Sequence, residues 1–534
     1  MNNPNKKRLR RTMMFLNAQK PGLIRDPYIY KPDPIMLDLE DAVAENQKDT
    51  ARFSLYHALR TIDYHGCERV VRINGLDTPY WREDIRAAVA GGCDAIRIPK
   101  TESAKDVQVV EAAIAEDEKT YGRTVGDVLI IAALESARGI MRALDIGEAI
   151  SHGKLKGLAT MRSHGGRVRA LVTGETHVDI AFIGAPTCDE YGNCRGIGGK
   201  TNCGVLSYSY VDGNQADYVV AITDCLVPFP NYPAHISMTK VDYVCVVDAI
   251  GIPEKIATGA AKPTTDQRKL MMAEYCTQVV ANTPYFKDGF SYQTGVGGAS
   301  IASTISLTKI MQERSIKMGF GVGGLTKPMC DLLDNGMVRV LLDTQDFDLD
   351  AVKNVKNPNH HRISAGAYAN PMNKGAFVNK LDYVILAALE VDTHFNCNVV
   401  VGSDGVITGA QGGHPDTAQG AKCTIVIAPL LQGRIPAICT DVTTVTTPGE
   451  SVDIVVTDYG VAVNPARPDL LEALQKADCV PLKTIEELRD IAYSIVGEPE
   501  KVQFGDRVVG IIEARDGTIM DVVREVKPFS FCED

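Results

Sequence analysis

Ile35-Met36-Leu37-Asp38-Leu39-Glu40 is an apolar run the length of a buried strand, and it ends in two carboxylates spaced two residues apart. Four similar runs lie around it, at 13–18, 69–75, 95–100 and 129–136. A helical pattern separates the last two. Ser103 is placed to cap it, Asp106 follows three residues later, and Val107, Val110 and Ile114 fall on one face. Strands alternating with helices of this length predict βαβ units and a parallel sheet. Alternation along a strand puts Asp38 and Glu40 on one face, and Arg72 and Asn74 likewise on the next strand. Lys100 closes the fourth run, and Glu135 closes the fifth just before Arg138. In a β/α barrel the C-terminal ends of the strands form the mouth where active sites are built. Carboxylates beside an arginine there suit a divalent cation and a small carboxylate substrate. Five such runs fall short of the eight strands of a closed barrel, so residues 1–146 are expected to be a partial β/α barrel.

The whole chain has 534 residues, 45% of them apolar and 23% charged, as in ordinary globular proteins. Its net charge of -11 argues against a nucleic-acid or anionic-membrane surface, which needs a basic footprint. The 14 cysteines form no Cys-x-x-Cys pair, which removes zinc-ribbon and thioredoxin-type sites and suits reduced thiols. The basic start at Lys6–Arg11 is followed by an apolar stretch too short for a signal-peptide core, and no run approaches a membrane span. A cytoplasmic location is the expectation.

Beyond residue 147 glycine-rich loops become frequent. Strands are read at 178–183, 218–223, 243–247, 319–322, 338–342, 383–386, 424–428 and 454–457, with helices at 299–314 and 469–477. This again predicts α/β structure, with an open sheet. Four loops are candidates for chemistry. Gln293-Thr294-Gly295-Val296-Gly297-Gly298 leads into a helix, whose N-terminus favours an anion. Gly409–Ala418 contains Gly412, Gly413, His414 and Asp416. Arg162-Ser163-His164-Gly165-Gly166-Arg167 offers arginines and glycine amides to carboxylates. Gly319–Gly324 ends a strand and opens a helix. Glycine clusters also make plain turns. A dinucleotide reading of the Gly319 segment is disfavoured because Asp343 is only loosely placed to hold a ribose. His360-His361 reads as a solvated turn.

Two resemblances follow from particular strings. Leu37-Asp38-Leu39-Glu40-Asp41-Ala42-Val43, Arg72-Ile73-Asn74-Gly75, Arg97-Ile98-Pro99-Lys100 and Leu134-Glu135-Ser136-Ala137-Arg138-Gly139 resemble the citrate lyase β subunit family. That resemblance implies a β/α barrel that cleaves citryl thioesters with magnesium, with Arg72 holding the oxaloacetate end and Glu135 ligating the metal. The family's second metal carboxylate, in a Gly-x-Glu-Asp segment, has no counterpart downstream. Ser163–Val168, Asp179–Phe182, Phe229–Ala234, Asp288–Ser291 with the Gln293 loop, Leu342–Gln345, Tyr368–Pro371, Gly412–His414 and Val463–Arg467 resemble the citrate lyase α subunit.

The second resemblance implies two CoA-transferase-like α/β domains, drawn at 147–289 (incomplete) and 290–534. It implies exchange of acetyl for citrate on the CoA-like prosthetic group of an acyl carrier subunit, for which acetyl-CoA can stand in, with other citrate lyase subunits as partners. Gln293, Thr294, Gly295, Gly297, Gly298, Gly323, Gly324, Gly412 and Gly413 would line the thioester site, with Arg162, His164 and Arg167 on the substrate. Glu390, His414 and Asp416 are the polar candidates for catalysis. Related transferases form a covalent glutamyl thioester after this strand. Here Gly323-Gly324-Leu325-Thr326 carries no carboxylate, which implies direct attack by a citrate carboxylate through a mixed anhydride. The two resemblances meet near residues 143–147, inside an apparent helix at 140–150 and without a flexible linker. That seam suggests an in-frame deletion or assembly artefact. The competing functions are a non-catalytic relic or scaffold of the citrate lyase complex, and a citryl thioester lyase.

Overall fold

The computed structural model describes residues 13–101, 103–133, 143–155, 157–256 and 264–527. The chain divides into two compact units, Met1–Ile146 and Gly147–Asp534.

In the first unit Met14–Asn17, Pro34–Asp38, Glu68–Arg72, Ala95–Ile98 and Leu129–Ala132 form a five-stranded parallel sheet in sequence order. Alternation along the strands separates two faces. Ile35, Leu37, Val71 and Ile96 pack with Leu55, Leu59, Ile85, Val89, Val110 and Ile114 of three helices, Lys48–Thr61, Trp81–Gly91 and Ala104–Thr120. Met36, Val70 and Ala95 form a small cluster on the other face with Met13, Leu129 and Ile131. Ser103 caps the last helix with a complete capping box to Asp106. The sheet is open among the described residues, so parallel α/β structure is what it shows, and a barrel is not.

In the second unit an eight-stranded sheet runs His360–Arg362, Val338–Asp346, Met318–Leu325, Ser291–Thr294, Tyr383–Ala387, Cys423–Ile427, Ile454–Thr457 and Gly460–Val463. It is parallel except for the last pair. Ile385, Ile425, Ile427, Ile454 and Val456 face a core shared with Gln267–Ala281, Gly298–Glu313 and Pro468–Ala477. Val384, Leu386, Val426 and Val455 face the opposite core, with Ala365–Ala369 and Ile485–Val496. Both faces are therefore covered, as a parallel sheet requires. Gln267–Ala281 shares one core with the strands beyond residue 290, so elements on either side of the expected 289/290 boundary pack together.

Smaller sheets flank this one. Ile180–Gly184, Tyr218–Thr223 and Tyr243–Val246 are parallel neighbours. Ala159–Arg162 pairs with the distant strand Phe504–Glu513, which forms a hairpin with Ile519–Val526. Helix Ala143–Ser151 covers the seam, while 140–142 lie outside the described residues. Among the described residues no helix is long and apolar enough to cross a membrane.

Two local expectations are corrected. The segment after Arg162 is a helix, His164–Val172, because the Ser163 hydroxyl accepts from the Gly166 amide and caps it. His360 is buried in the edge strand and only His361 is exposed, because the strand pairs with Leu341–Asp343.

Candidate functional site

The strand Ser291–Thr294 delivers Gln293 to the C-terminal edge of the large sheet, where ligands bind in open parallel folds. Gln293 Nε2 donates to the Tyr368 hydroxyl at 2.7 Å, and its buried Oε1 has no hydrogen-bond partner among the described residues. Gly323, at φ +111°, faces the Gln293 amide so closely that a Cβ there would lie 2.9 Å from Cδ. Gly324 is packed flat against the Phe347 ring, leaving no room for a side chain. The Gly319–Gly324 glycines lie within the strand Met318–Leu325, not in a turn after it, because Met329 and Leu341 close on Gly321. Gly295 donates to the Ile385 carbonyl, and Gly297 is the cap of Gly298–Glu313, whose first amides have no intrahelical acceptor. Thr294 turns its hydroxyl back to the Gly295 and Ser300 carbonyls, each at 3.3 Å.

The Gly412 loop arrives from the other side. The Gly412 carbonyl accepts from the His164 amide at 2.8 Å, and Gly412 itself adopts φ +55°. Gln411 Nε2 ties this loop to the Met161 and Glu513 carbonyls at 2.8 and 3.0 Å. A Cβ at Gly413 would sit 2.9 Å from the Tyr368 hydroxyl and 3.0 Å from His164 Cδ2. Gln293, Gly323, Tyr368, Gly413 and His164 therefore meet at one place. The Tyr208 hydroxyl is hydrogen-bonded to His164 Nδ1. Burial, and then the Arg167 charge, pull the His164 imidazole down to about 4, so it is neutral at pH 7. The Tyr208 hydroxyl engages Nδ1 and fixes the ring, with Nε2 turned toward Gly412.

The three residues expected to be catalytic lie behind these loops. His414 begins the helix His414–Gly420 and is buried. Its Nε2 donates to the Ala387 carbonyl at 3.2 Å and its Nδ1 accepts from the Thr447 hydroxyl at 2.7 Å, so both nitrogens are used. Burial lowers its pKa to about 4. Asp416 accepts from the Ser163 hydroxyl at 2.6 Å and the Gly165 amide at 2.8 Å. Burial pushes it up to about 6, although those two bonds favour the carboxylate. Glu390 is held by Asn398, the Thr443 amide and the Thr443 hydroxyl. All three are hydrogen-bonded to neighbouring loops and strands.

The expected substrate-binding arginines are also engaged. Arg162 pairs with Glu513 at 2.9 Å and Glu175 at 2.7 Å, inside a network that includes Arg169. Arg167 pairs with Asp212 at 2.9 Å and lies over the Tyr208 ring.

In the first unit Arg72 grips buried Asp38 through two bonds of 2.8 and 2.7 Å and pairs with Glu40 at 3.0 Å. Lys100 pairs with the other Glu40 oxygen at 3.1 Å. Burial raises the Glu40 pKa, against the pull of Lys100 and Arg72. Glu135 and Arg138 lie outside the described residues. The described carboxylates are thus taken up by cations, and no described group of three acid or histidine donors lies there at metal-ligand spacing.

Two such groups lie elsewhere among the described residues: exposed His177, Asp179 and Asp217, and buried Asp343, Asp346 and His360. In the second, His360 Nε2 is 2.9 Å from Asp343 and Nδ1 is 2.9 Å from Asn354. Burial raises both aspartates, and Asp343 raises Asp346 further, which favours protonation of the pair.

Residues 130–526 match the family described as citrate lyase, alpha subunit (CitF). The chain belongs to the citrate lyase α-subunit family. It is 49% identical over 383 residues to the citrate lyase alpha chain of Klebsiella pneumoniae, covering 72% of this chain and 75% of that one. A crystal structure of the citrate lyase α subunit of Streptococcus mutans in complex with citrate superposes with a TM-score of 0.71 at 46% identity. That match covers 78% of this chain and 85% of that one. Residues 11–174 match the HpcH/HpaI aldolase/citrate lyase family. Over 145 residues, 27% of this chain, the sequence is 49% identical to citrate lyase subunit beta of Leuconostoc mesenteroides subsp. cremoris. The chain spans 48% of that relative, about half its length.

Within this α-type chain, sequence reading missed Tyr208, Tyr368, Gln411 and Ser163 as parts of the site. Ser163, Gln411 and Tyr368 stood inside stretches the sequence singled out without a role of their own, and nothing local marks Tyr208.

Proposed function

We propose that residues 147–534 exchange acetyl for citrate on a CoA-like thioester, releasing acetate, as an α-type subunit of citrate lyase. The observation that carries this reading is the meeting of Gln293, Gly323, Gly413, Tyr368 and His164 at the C-terminal edge of the sheet. Family membership supplies the chemistry. A citrate carboxylate oxygen attacks the acetyl thioester carbon, giving a tetrahedral oxyanion. This collapses to a mixed anhydride and expels the thiolate. The thiolate then attacks the citryl carbonyl of the anhydride, and acetate leaves. No enzyme nucleophile is required, which suits Gly323-Gly324-Leu325-Thr326, where no carboxylate stands. The Gly297–Ala299 amides at the helix start are the donors offered to the oxyanion, with His164 and Gln293 lining the site beside them. Positioning does the rest, with Asp416, His414 and Glu390 fixing the loops.

No step is assigned to the first unit, where Asp38 and Glu40 are paired with Arg72 and Lys100. The proposed partners are citrate, the acyl carrier with its CoA-like group, and other citrate lyase subunits. The test is citrate-dependent consumption of acetyl-CoA by wild type and Gln293→Ala. Wild-type turnover that falls about a hundredfold in the variant supports the site. Equal rates in both would remove Gln293 from it.

A further inference from the structure

A second set of groups stands at the same edge of the sheet, and the thioester site does not use it. Arg362 ends the strand His360–Arg362, where it pairs with Asp343. Its half-buried guanidinium makes no hydrogen bond or ion pair among the described residues, and Nη1 is buried without a partner. Arg195 lies on the short strand Cys194–Arg195. Its Nη1 donates to the Tyr232 carbonyl at 3.3 Å, but its buried Nε has no partner. His235 Nδ1 accepts from the Gly196 amide at 3.0 Å, so its proton resides on Nε2, which is also buried and unpartnered. The groups feel one another. Burial, and then the Arg362 and Arg195 charges, pull His235 down to about 3, and burial followed by Arg195 lowers Arg362.

The turn that presents Arg195 is built around Asp189. This buried carboxylate accepts from the Tyr191, Asn193 and Asn231 amides and from the Asn193 side chain. Asp346 is the acid whose charge reaches Arg362, but it makes no ion pair with it, and its Oδ2 accepts from the Val205 amide at 3.0 Å. Two permanent cations and a neutral N–H donor therefore lie within reach of one another, each with a buried polar atom unpartnered and neither cation in an ion pair among the described residues. That arrangement is costly without an anionic ligand.

Strand register gives the distance. Arg362 pairs with Asp343 and Asp343 with Gly323, so two inter-strand spacings, roughly 10 Å, separate Arg362 from the glycine against Gln293. An arginine side chain covers most of that span. We propose that Arg195, Arg362 and His235 anchor the non-reacting carboxylates of a small polycarboxylate, presenting its remaining carboxylate to the thioester at the Gln293 loop. This rests on the acyl-exchange reading for the substrate class. Guanidinium forks match carboxylates bidentately and hold them in one orientation. A phosphate of the CoA-like group offers similar chemistry, and the experiment separates the two.

The test is isothermal titration of the full chain with citrate and, separately, with desulfo-CoA. Wild type, Arg362→Gln, Arg195→Gln and Arg362→Lys are compared, with folding checked by circular dichroism. Citrate affinity is expected to fall at least about tenfold in each Gln variant and severalfold in Arg362→Lys, which keeps the charge but loses the fork. Desulfo-CoA affinity is expected to change by less than about twofold. If a Gln variant fails to fold, the Lys variant carries the same expectation. The anchor is overturned by unchanged citrate affinity, by loss of desulfo-CoA affinity instead, or by a folded wild type that does not bind citrate. Arginine-dependent citrate binding without acetyl exchange would remove the exchange reading and leave the anchor. Exchange with citrate affinity indifferent to both arginines would do the reverse.

Discussion

His414 and Asp346 show how burial makes single residues sensitive to pH in opposite directions. His414 titrates at about 4 in the fold against an ordinary 6.5. The folded state therefore binds fewer protons than the unfolded one, and the stabilisation is present above pH 6.5 and lost as pH falls toward 4. The loss reaches at most about 1.4 kcal/mol per pH unit. His414→Gln keeps a donor and an acceptor, so its melting temperature should fall less than wild type's between pH 7 and pH 5. Asp346 is raised by burial and by Asp343. The folded state binds more protons there, and its contribution is lost as pH rises above the ordinary aspartate range toward the raised value. Asp346→Asn preserves the acceptor for Val205 and removes the titration. Its melting temperature should decline less than wild type's between pH 5 and pH 8, and an unchanged slope would mean that Asp346 is ionised throughout.

At the scale of elements, the site depends on loops pinned by long-range pairing. Gly413 has φ -94°, a conformation open to alanine, so Gly413→Ala tests contact with Tyr368 and His164 without backbone strain. Acetyl exchange should fall about a hundredfold while the fold is kept, a split readable from rate and melting temperature together. Glu513 holds Arg162 and Arg169 where Ala159–Arg162 meets Phe504–Glu513. Glu513→Ala removes the buried partner of two guanidinium groups, which Glu175 still pairs, and should cost about 2 kcal/mol in urea unfolding. Runs such as Tyr218–Thr223 and Ile454–Thr457 were legible because continuous β-branched segments need no context. Ala159–Arg162 was not, since four residues of mixed polarity become a strand only beside Phe504–Glu513. Likewise the Arg162–Arg167 segment looked like a loop with two free arginines. Its Ser163 cap and its partners Glu513 and Asp212 lie far off in sequence or carry no local signal. Glycines marked where Gln293, Gly323 and Gly413 approach one another, but not Tyr368 and Tyr208 between them.

Across the whole molecule the two parents contribute unequally. The second unit holds a sheet covered on both faces, a converged set of loops and an unsatisfied cationic cluster at one edge. The first unit holds a five-stranded sheet with Asp38 and Glu40 bound by Arg72 and Lys100 at its edge. Acyl exchange should therefore be independent of magnesium, with the same rate after chelation. Oxaloacetate should not appear from citryl-CoA, and its magnesium-dependent release would show that the first unit keeps a working lyase site. The central claim is that the second unit is an active transferase. It is tested most directly by citrate-dependent release of acetate from acetyl-CoA by the purified chain, shown by circular dichroism to be folded. The account predicts turnover that requires citrate and disappears without it. A folded chain that releases no acetate would contradict the account and leave a non-catalytic relic of the complex.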